Sequence, residues 1–221
     1  PLHAILGFAQ LLKGQDFTPG EKSHLEQVLS AGWHLLELIN GILDLSQIES
    51  GKLPLSLEPT PLDPMLRESL ALIEPQAQKR GARVTLLPCD PLLAVRADPL
   101  RLRQVLLNLL SNAVKYGGED GSVSVAASTV SPERIRISVQ DHGAGLSAES
   151  VDMIFQPFNR AGQEFGPHEG TGIGLVVSKR LIEAMGGSIG VDSIVGSGSV
   201  FWFELNMAVV PGKSAAGYLN S

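Results

Sequence analysis

The chain has 221 residues, 43% of them apolar, which suits one large domain or two smaller ones with a proper core. A formal charge of -6 argues against nucleic acid as the main partner, although a local basic patch is compatible with it. The single cysteine, Cys89, excludes an internal disulfide framework and a multi-cysteine metal site and points to a reducing compartment, and no apolar run approaches the roughly 18 residues of a membrane span. Residues 1–50 read as two helices. The first, PLHAILGFAQLL, places Leu2, Ile5, Leu6, Ala9 and Leu12 along one side. No signal peptide precedes it, and Pro1 reads as a cut end, so upstream segments stay open. After the turn-rich GQDFTPGE, Pro19 suits the start of the next helix, which is long, from about Gly20 to Glu49, and ended by Gly51. Its positions Leu25, Val28, Gly32, Leu35, Ile39 and Ile42 alternate by three and four, and Leu29, Leu36 and Leu43 widen the stripe. A hairpin this apolar cannot bury its stripe alone; pairing with a second copy as a four-helix bundle is the simplest solution.

From Lys52 the texture changes. Helices are expected at about 62–80, 98–115 and 173–185, alternating with the strand-like runs VTLLP, AVRAD, SVSVAAS, RIRISVQD, SIGVDS and SVFWFELN. Residues 122–129 and 134–141 read as a β-hairpin around Ser131-Pro132. The pattern predicts an α+β domain, one mixed sheet with helices on one face. MAVVPGKSAAGYLNS has lost the pattern and reads as a linker or disordered end.

Within the helix at 98–115, Arg101, Gln104, Asn108, Ser111, Asn112 and Lys115 fall in an arc of roughly 100°. Nearly everything else is apolar, with Arg103 the exception. The strip faces either solvent or a polar ligand. An ordinary solvated face favours Lys and Glu, whereas Asn-x-x-x-Asn-x-x-Lys offers amide oxygens for a hard cation and an ammonium for an anion.

VQDHGAGLS ends a strand at Asp141, and Gly143 and Gly145 let the backbone turn and approach a ligand; a plain strand-ending turn has the same signature. EGTGIGLVVSKRLIEAMGG is sharper: Gly170, Gly172 and Gly174 lead into an amphipathic helix whose free N–H groups suit an anion. It lacks the Rossmann spacing and the P-loop Gly-Lys-Ser/Thr. FNRAGQEFGPHEG, between the two glycine stretches, reads as a mobile lid.

Together, and in this order, these stretches resemble the ATP-binding domain of sensor histidine kinases. DPLRLRQVLLNLLSNAVKYGG resembles the family's N box, and DHGAGLS the first glycine box. IFQPFNR resembles the F box, GTGIGL the second glycine box and GSGSVFWFEL the third. PLHAILGFAQLL resembles the end of the H box. The resemblance implies a helical hairpin (residues 1–51, dimerisation and histidine phosphotransfer), then an α/β sandwich ATP-binding domain of the Bergerat type (residues 52–206), then a tail (residues 207–221). It implies ATP and Mg²⁺ as cofactors, with Asn112 on the metal and Asn108 near the β- and γ-phosphates. Lys115 would neutralise phosphate charge and Tyr116 would pack near the nucleotide. Asp141 would accept from the adenine amine, with Gly143 and Gly145 shaping the base pocket. Gly170, Thr171, Gly172 and Gly174 would line the triphosphate, Leu175 would sit behind the base, and Phe155 and Phe158 would anchor the lid.

The implied activity is transfer of the ATP γ-phosphoryl to a histidine and then to an aspartate of a response-regulator receiver domain. The implied partners are a second copy and that receiver domain, with no nucleic acid and no membrane contact within 1–221. The implied setting is the cytoplasm, with membrane anchoring of the full-length protein left open. The family's phosphoacceptor falls five residues before the proline matching Pro1, so no catalytic histidine is expected on this chain. His3, His24, His34, His142 and His168 all lack the His-x-x-x-x-Pro setting. A non-enzymatic, ATP-binding dimeric scaffold is the alternative. A gyrase-like or mismatch-repair-like ATPase ranks last, because those lack the hairpin at 1–50.

Overall fold

The computed structural model describes residues 1–15, 17–51, 53–118, 121–157 and 172–209. Helix α1 (Leu2–Leu12) and helix α2 (Pro19–Glu49) form the expected hairpin. Thr18 starts α2 as a capping box with Glu21, and Pro19 takes the first position, where its missing N–H costs nothing. Leu6, Ala9 and Leu29 are buried between the helices, with Leu2, Leu25 and Leu36 packed around them. Gly32 faces Leu6. The expected stripe is therefore split: Leu25 and Gly32 serve the hairpin's own seam. Val28, Leu35, Ile39, Ile42 and Leu43 stay exposed. By length and composition α2 could cross a membrane, but its far half packs Leu38 and Ile48 onto the second domain's core.

That domain runs β1 (Glu58–Pro61), α3 (Leu62–Lys79), β2 (Arg83–Leu86), β3 (Ala94–Ala97), α4 (Pro99–Tyr116), β4 (Ser122–Ser131), β5 (Arg134–Asp141), α5 (Ala148–Met153), α6 (Gly174–Ala184), β6 (Ser188–Ile194) and β7 (Gly198–Asn206). The main sheet has the order β2-β4-β5-β7-β6, with β2 parallel to β4 and the other pairs antiparallel. Alternation sends Val123, Val125, Ile135, Ile137, Phe203 and Leu205 to one face, where they meet α3, α4 and α6. The expected single sheet is thus two. AVRAD leaves the main sheet and β3 pairs instead with β1, a strand that no pattern announces because two of its four residues are proline. Residues Met207 and Ala208, which lack any pattern, remain attached by hydrogen bonds from Met207 N to Glu133 O and from Ala208 N to Ala94 O. The rest of the expected tail, from residue 210, lies outside the described residues.

Candidate functional site

Helix α4 is the site's backbone. Its N-cap is Asp98, whose Oδ1 accepts from Leu100 N and Arg101 N at 3.0 and 3.1 Å, while Oδ2 accepts from Ser56 N at 3.0 Å. Burial pushes the Asp98 carboxyl up, but the three backbone donors and nearby Arg101 outweigh it and leave the pKa lowered. Leu102, Val105, Leu106, Leu109, Leu110 and Val114 are all buried, at about 1.5–3 kcal/mol each. An asparagine costs a helix only about 0.7 kcal/mol. Packing therefore holds Asn108 and Asn112 helical despite their propensity.

The polar strip meets three helices and a cavity rather than one partner. Its first turns dock α2: Arg101 Nη1 and Gln104 Nε2 donate to the two oxygens of Asp44, at 3.2 and 2.8 Å. Ser111 Oγ accepts from Gln76 Nε2 on α3 at 3.1 Å. Asn108 Nδ2 donates to Ser178 Oγ on α6 at 2.9 Å. Asn112, Lys115 and Tyr116 continue the strip as half-buried residues along a cavity of about 690 Å³.

That cavity brings together most of the residues expected from sequence. Asn108, Asn112, Lys115, Tyr116, Asp141, Gly145, Gly172, Gly174 and Leu175 all line it. Asp141 ends β5 facing inward, 4% exposed, and its Oδ1 accepts from Gly143 N at 2.9 Å. Burial pushes its carboxyl above the usual carboxylate range; the Gly143 and Ser199 backbone donors and His142 pull the other way but do not cancel it. Gly143 does not line the cavity. A Cβ there would be driven into the Tyr116 carbonyl oxygen, so this glycine lets the β5 end press against the end of α4. The turn is then tied to β6 and the β6–β7 turn by Leu146 N donating to Ser193 Oγ at 2.8 Å and Gly196 N donating to Ala144 O at 2.8 Å.

Phe155 is half-buried against the core, with the Lys179 ammonium 5.5 Å from its ring centroid. Phe158, Gly170, Thr171 and the expected lid lie outside the described residues. His3, His24 and His142 are exposed and His34 is half-buried, while His168 lies outside the described residues. Sequence reasoning missed one wall altogether. Trp33, Leu36, Asn40, Gly41 and Asp44 of α2 line the same cavity, and Gly41 packs against Ile173 at the start of α6. A hint was Gly41 inside the helix, as Gly32 is at the α1 seam, a kind of position where close packing is a common reason for glycine.

Chemically, the cavity pairs a buried carboxylate, an acceptor for an amine, with amide oxygens, an ammonium and a helix N-terminus suited to phosphate and a hard cation. Among the described residues no three His, Cys, Asp or Glu side chains gather as a metal cage.

Residues 97–209 match the family described as histidine kinase-, DNA gyrase B- and HSP90-like ATPase, and residues 1–51 match the His kinase A (phospho-acceptor) domain. The chain is similar to the sensor protein GacS of Pseudomonas syringae pv. syringae. The two are 45% identical over 212 residues, which cover 94% of this chain and 23% of GacS. Among solved structures it is similar to full-length ShkA in complex with AMPPNP, with a TM-score of 0.79 and 36% identity over 95% of this chain and 44% of that one. It is also similar to the histidine kinase ThkA in complex with the response regulator protein TrrA, with a TM-score of 0.69 and 25% identity over 94% of this chain and 58% of that one. The chain spans about a quarter of the length of the curated relatives it matches.

Proposed function

The chain belongs to the sensor histidine kinases within the histidine kinase-, DNA gyrase B- and HSP90-like ATPases, and from that premise we propose that it is a kinase core that binds Mg·ATP. Its γ-phosphoryl would pass to a histidine imidazole, placed by the family register upstream of Pro1, and from there to an aspartate of a response-regulator receiver domain. Residues 1–51 would serve dimerisation and phosphotransfer and residues 52–206 would bind ATP, with Met207 and Ala208 still held to that domain. The observation that carries this reading is the single cavity lined at once by Asn108, Asn112, Lys115, Asp141 and the α6 N-terminus. The relatives add support: ShkA was solved with AMPPNP and ThkA with a response regulator.

On this reading Asp141 accepts from the adenine amine, and Gly170, Thr171, Gly172 and Gly174 cradle phosphate oxygens with backbone N–H groups. Lys115 offsets phosphate charge, Tyr116 and Leu175 flank the base, and Phe158 anchors the lid. Mg²⁺ would supply charge neutralisation on the phosphates, and Asn112 would be a protein ligand to it, beside Asn108 on the same cavity wall. Positioning and electrostatics, not covalent chemistry by the protein, carry such a transfer. The exposed Val28, Leu35, Ile39 and Ile42 support a homodimer through a four-helix bundle, and this part of the protein works in the cytoplasm. Calorimetry tests the reading: the chain should bind Mg·ATP and reject GTP, whose carbonyl would face the Asp141 carboxylate. Equal binding of both nucleotides would overturn the base-pocket assignment.

A further inference from the structure

Ser178 sits one turn into α6, four residues after Gly174, and is only 2% exposed. Its neighbours on that buried face are Val177, Leu181 and Ile182. A hydroxyl in such surroundings needs a hydrogen-bond partner, or it destabilises the fold. The partner stands 70 residues away on another helix: Asn108 Nδ2 donates to Ser178 Oγ at 2.9 Å. A serine inside a helix can send its own proton to the carbonyl one turn back, which leaves its oxygen as an acceptor for such a donor.

The other end of the same amide is also set by α6. A Cβ on Gly174 would be driven into Asn108 Oδ1, so the amide oxygen lies over a bare α-carbon and would have to shift for any larger residue there. The Asn108 side chain is thus gripped at its nitrogen by Ser178 and seated at its oxygen over Gly174. Asn112, one turn further along α4, lines the cavity together with Asn108, Gly174 and Ser178.

We propose that Ser178 is a positioning residue of the nucleotide site: through Asn108 it holds the α6 N-terminus in register with α4 and fixes which end of the Asn108 amide is offered to a phosphate-bound cation. The inference rests on the nucleotide reading above. Without the hydroxyl, the part-buried Asn108 nitrogen loses its hydrogen bond to Ser178 and the amide is free to turn over. The consequence falls on the triphosphate end of the site, because Asp141 belongs to β5 and to a separate set of backbone contacts. Partners that orient a metal's own ligands characteristically change metal affinity by tenfold or more without touching the metal.

The test is calorimetry of ATP with and without Mg²⁺ on the whole chain, read as the ratio of the two affinities. Ser178→Ala should reduce the Mg²⁺ advantage by about tenfold while ATP without Mg²⁺ binds as in the parent chain. Ser178→Thr keeps the hydroxyl and should keep the ratio. Gly174→Ala displaces the oxygen end of the amide and should lose the ratio as Ser178→Ala does, which also decides the matter should Ser178→Ala not fold. A folded Ser178→Ala with an unchanged ratio, or with equal losses in both conditions, overturns the proposal. So does a Gly174→Ala chain that retains the parent ratio. Failure of the parent chain to bind ATP at all instead brings down the nucleotide reading, and this inference with it.

Discussion

Replacing Asp98 with alanine removes three hydrogen bonds at the start of the helix that carries the site. Two are cap bonds to Leu100 N and Arg101 N, and losing such a cap costs about 1 kcal/mol. The third satisfies Ser56 N, and a partly buried N–H left without its acceptor costs about 1–3 kcal/mol. Asp98→Ala should therefore destabilise the chain by about 2–4 kcal/mol, a large share of a typical stability of about 5–15 kcal/mol. Asp98→Asn keeps one acceptor oxygen and can satisfy the cap, but turns an NH₂ toward the Ser56 donor, so only the cap's share of about 1 kcal/mol is recovered. The sign of the pH dependence follows from the depressed carboxyl. Its contribution is fully present above the unfolded-state pKa near 4 and disappears as the pH falls through the lower folded-state value. Urea melts followed by circular dichroism at neutral pH and near pH 3 measure both effects. A loss below about 0.5 kcal/mol at neutral pH, the level of an ordinary surface substitution, would refute the assignment. So would a mutant-to-parent difference that does not shrink in acid.

Burial raises the Asp141 carboxyl, and an amine donor selects the carboxylate. ATP affinity should thus rise with pH through that raised pKa and then level off. Asp141→Asn should bind ATP at least about tenfold more weakly and without that pH dependence; calorimetry across the acidic range decides, and a parent-like profile in the variant refutes it. Light scattering should give about twice the chain mass for the parent protein and one chain mass for Leu35→Asp with Ile39→Asp, since both side chains are nearly half exposed on α2. A parent chain that is already monomeric at high concentration counts against the bundle. Asp44→Ala removes the half-buried acceptor shared by Arg101 and Gln104 and should loosen α2 from α4 by about 1–2 kcal/mol. Urea melts followed by circular dichroism measure that loss, and a variant as stable as the parent would mean that Asp44 does not hold the interface.

Local pattern settled much about this chain. The spans of α1, α2, α3, α4 and α6 follow from apolar spacing, capping residues and glycine stops, all of which act within a few residues of one another. The same local rule revealed the polar strip on α4 and the glycine turns at Asp141 and Gly174. Five ordered motifs marked the family as well. Periodicity says that a helix has a face; it does not say what the face meets. Asp44 takes Arg101 and Gln104 from 57 and 60 residues away, and Ser178 takes Asn108 from 70. Those pairings decided that much of the strip is structural adhesive and that α2 walls the cavity. β1 went unread because a proline-rich edge strand exists only by virtue of its partner β3. The dual seam of α2, one side for α1 and the other left exposed, was equally undecided, because Leu25 and Leu35 look alike until α1 chooses between them. Each of these features depends on contacts whose free energy appears only when distant segments meet, and no local propensity encodes it.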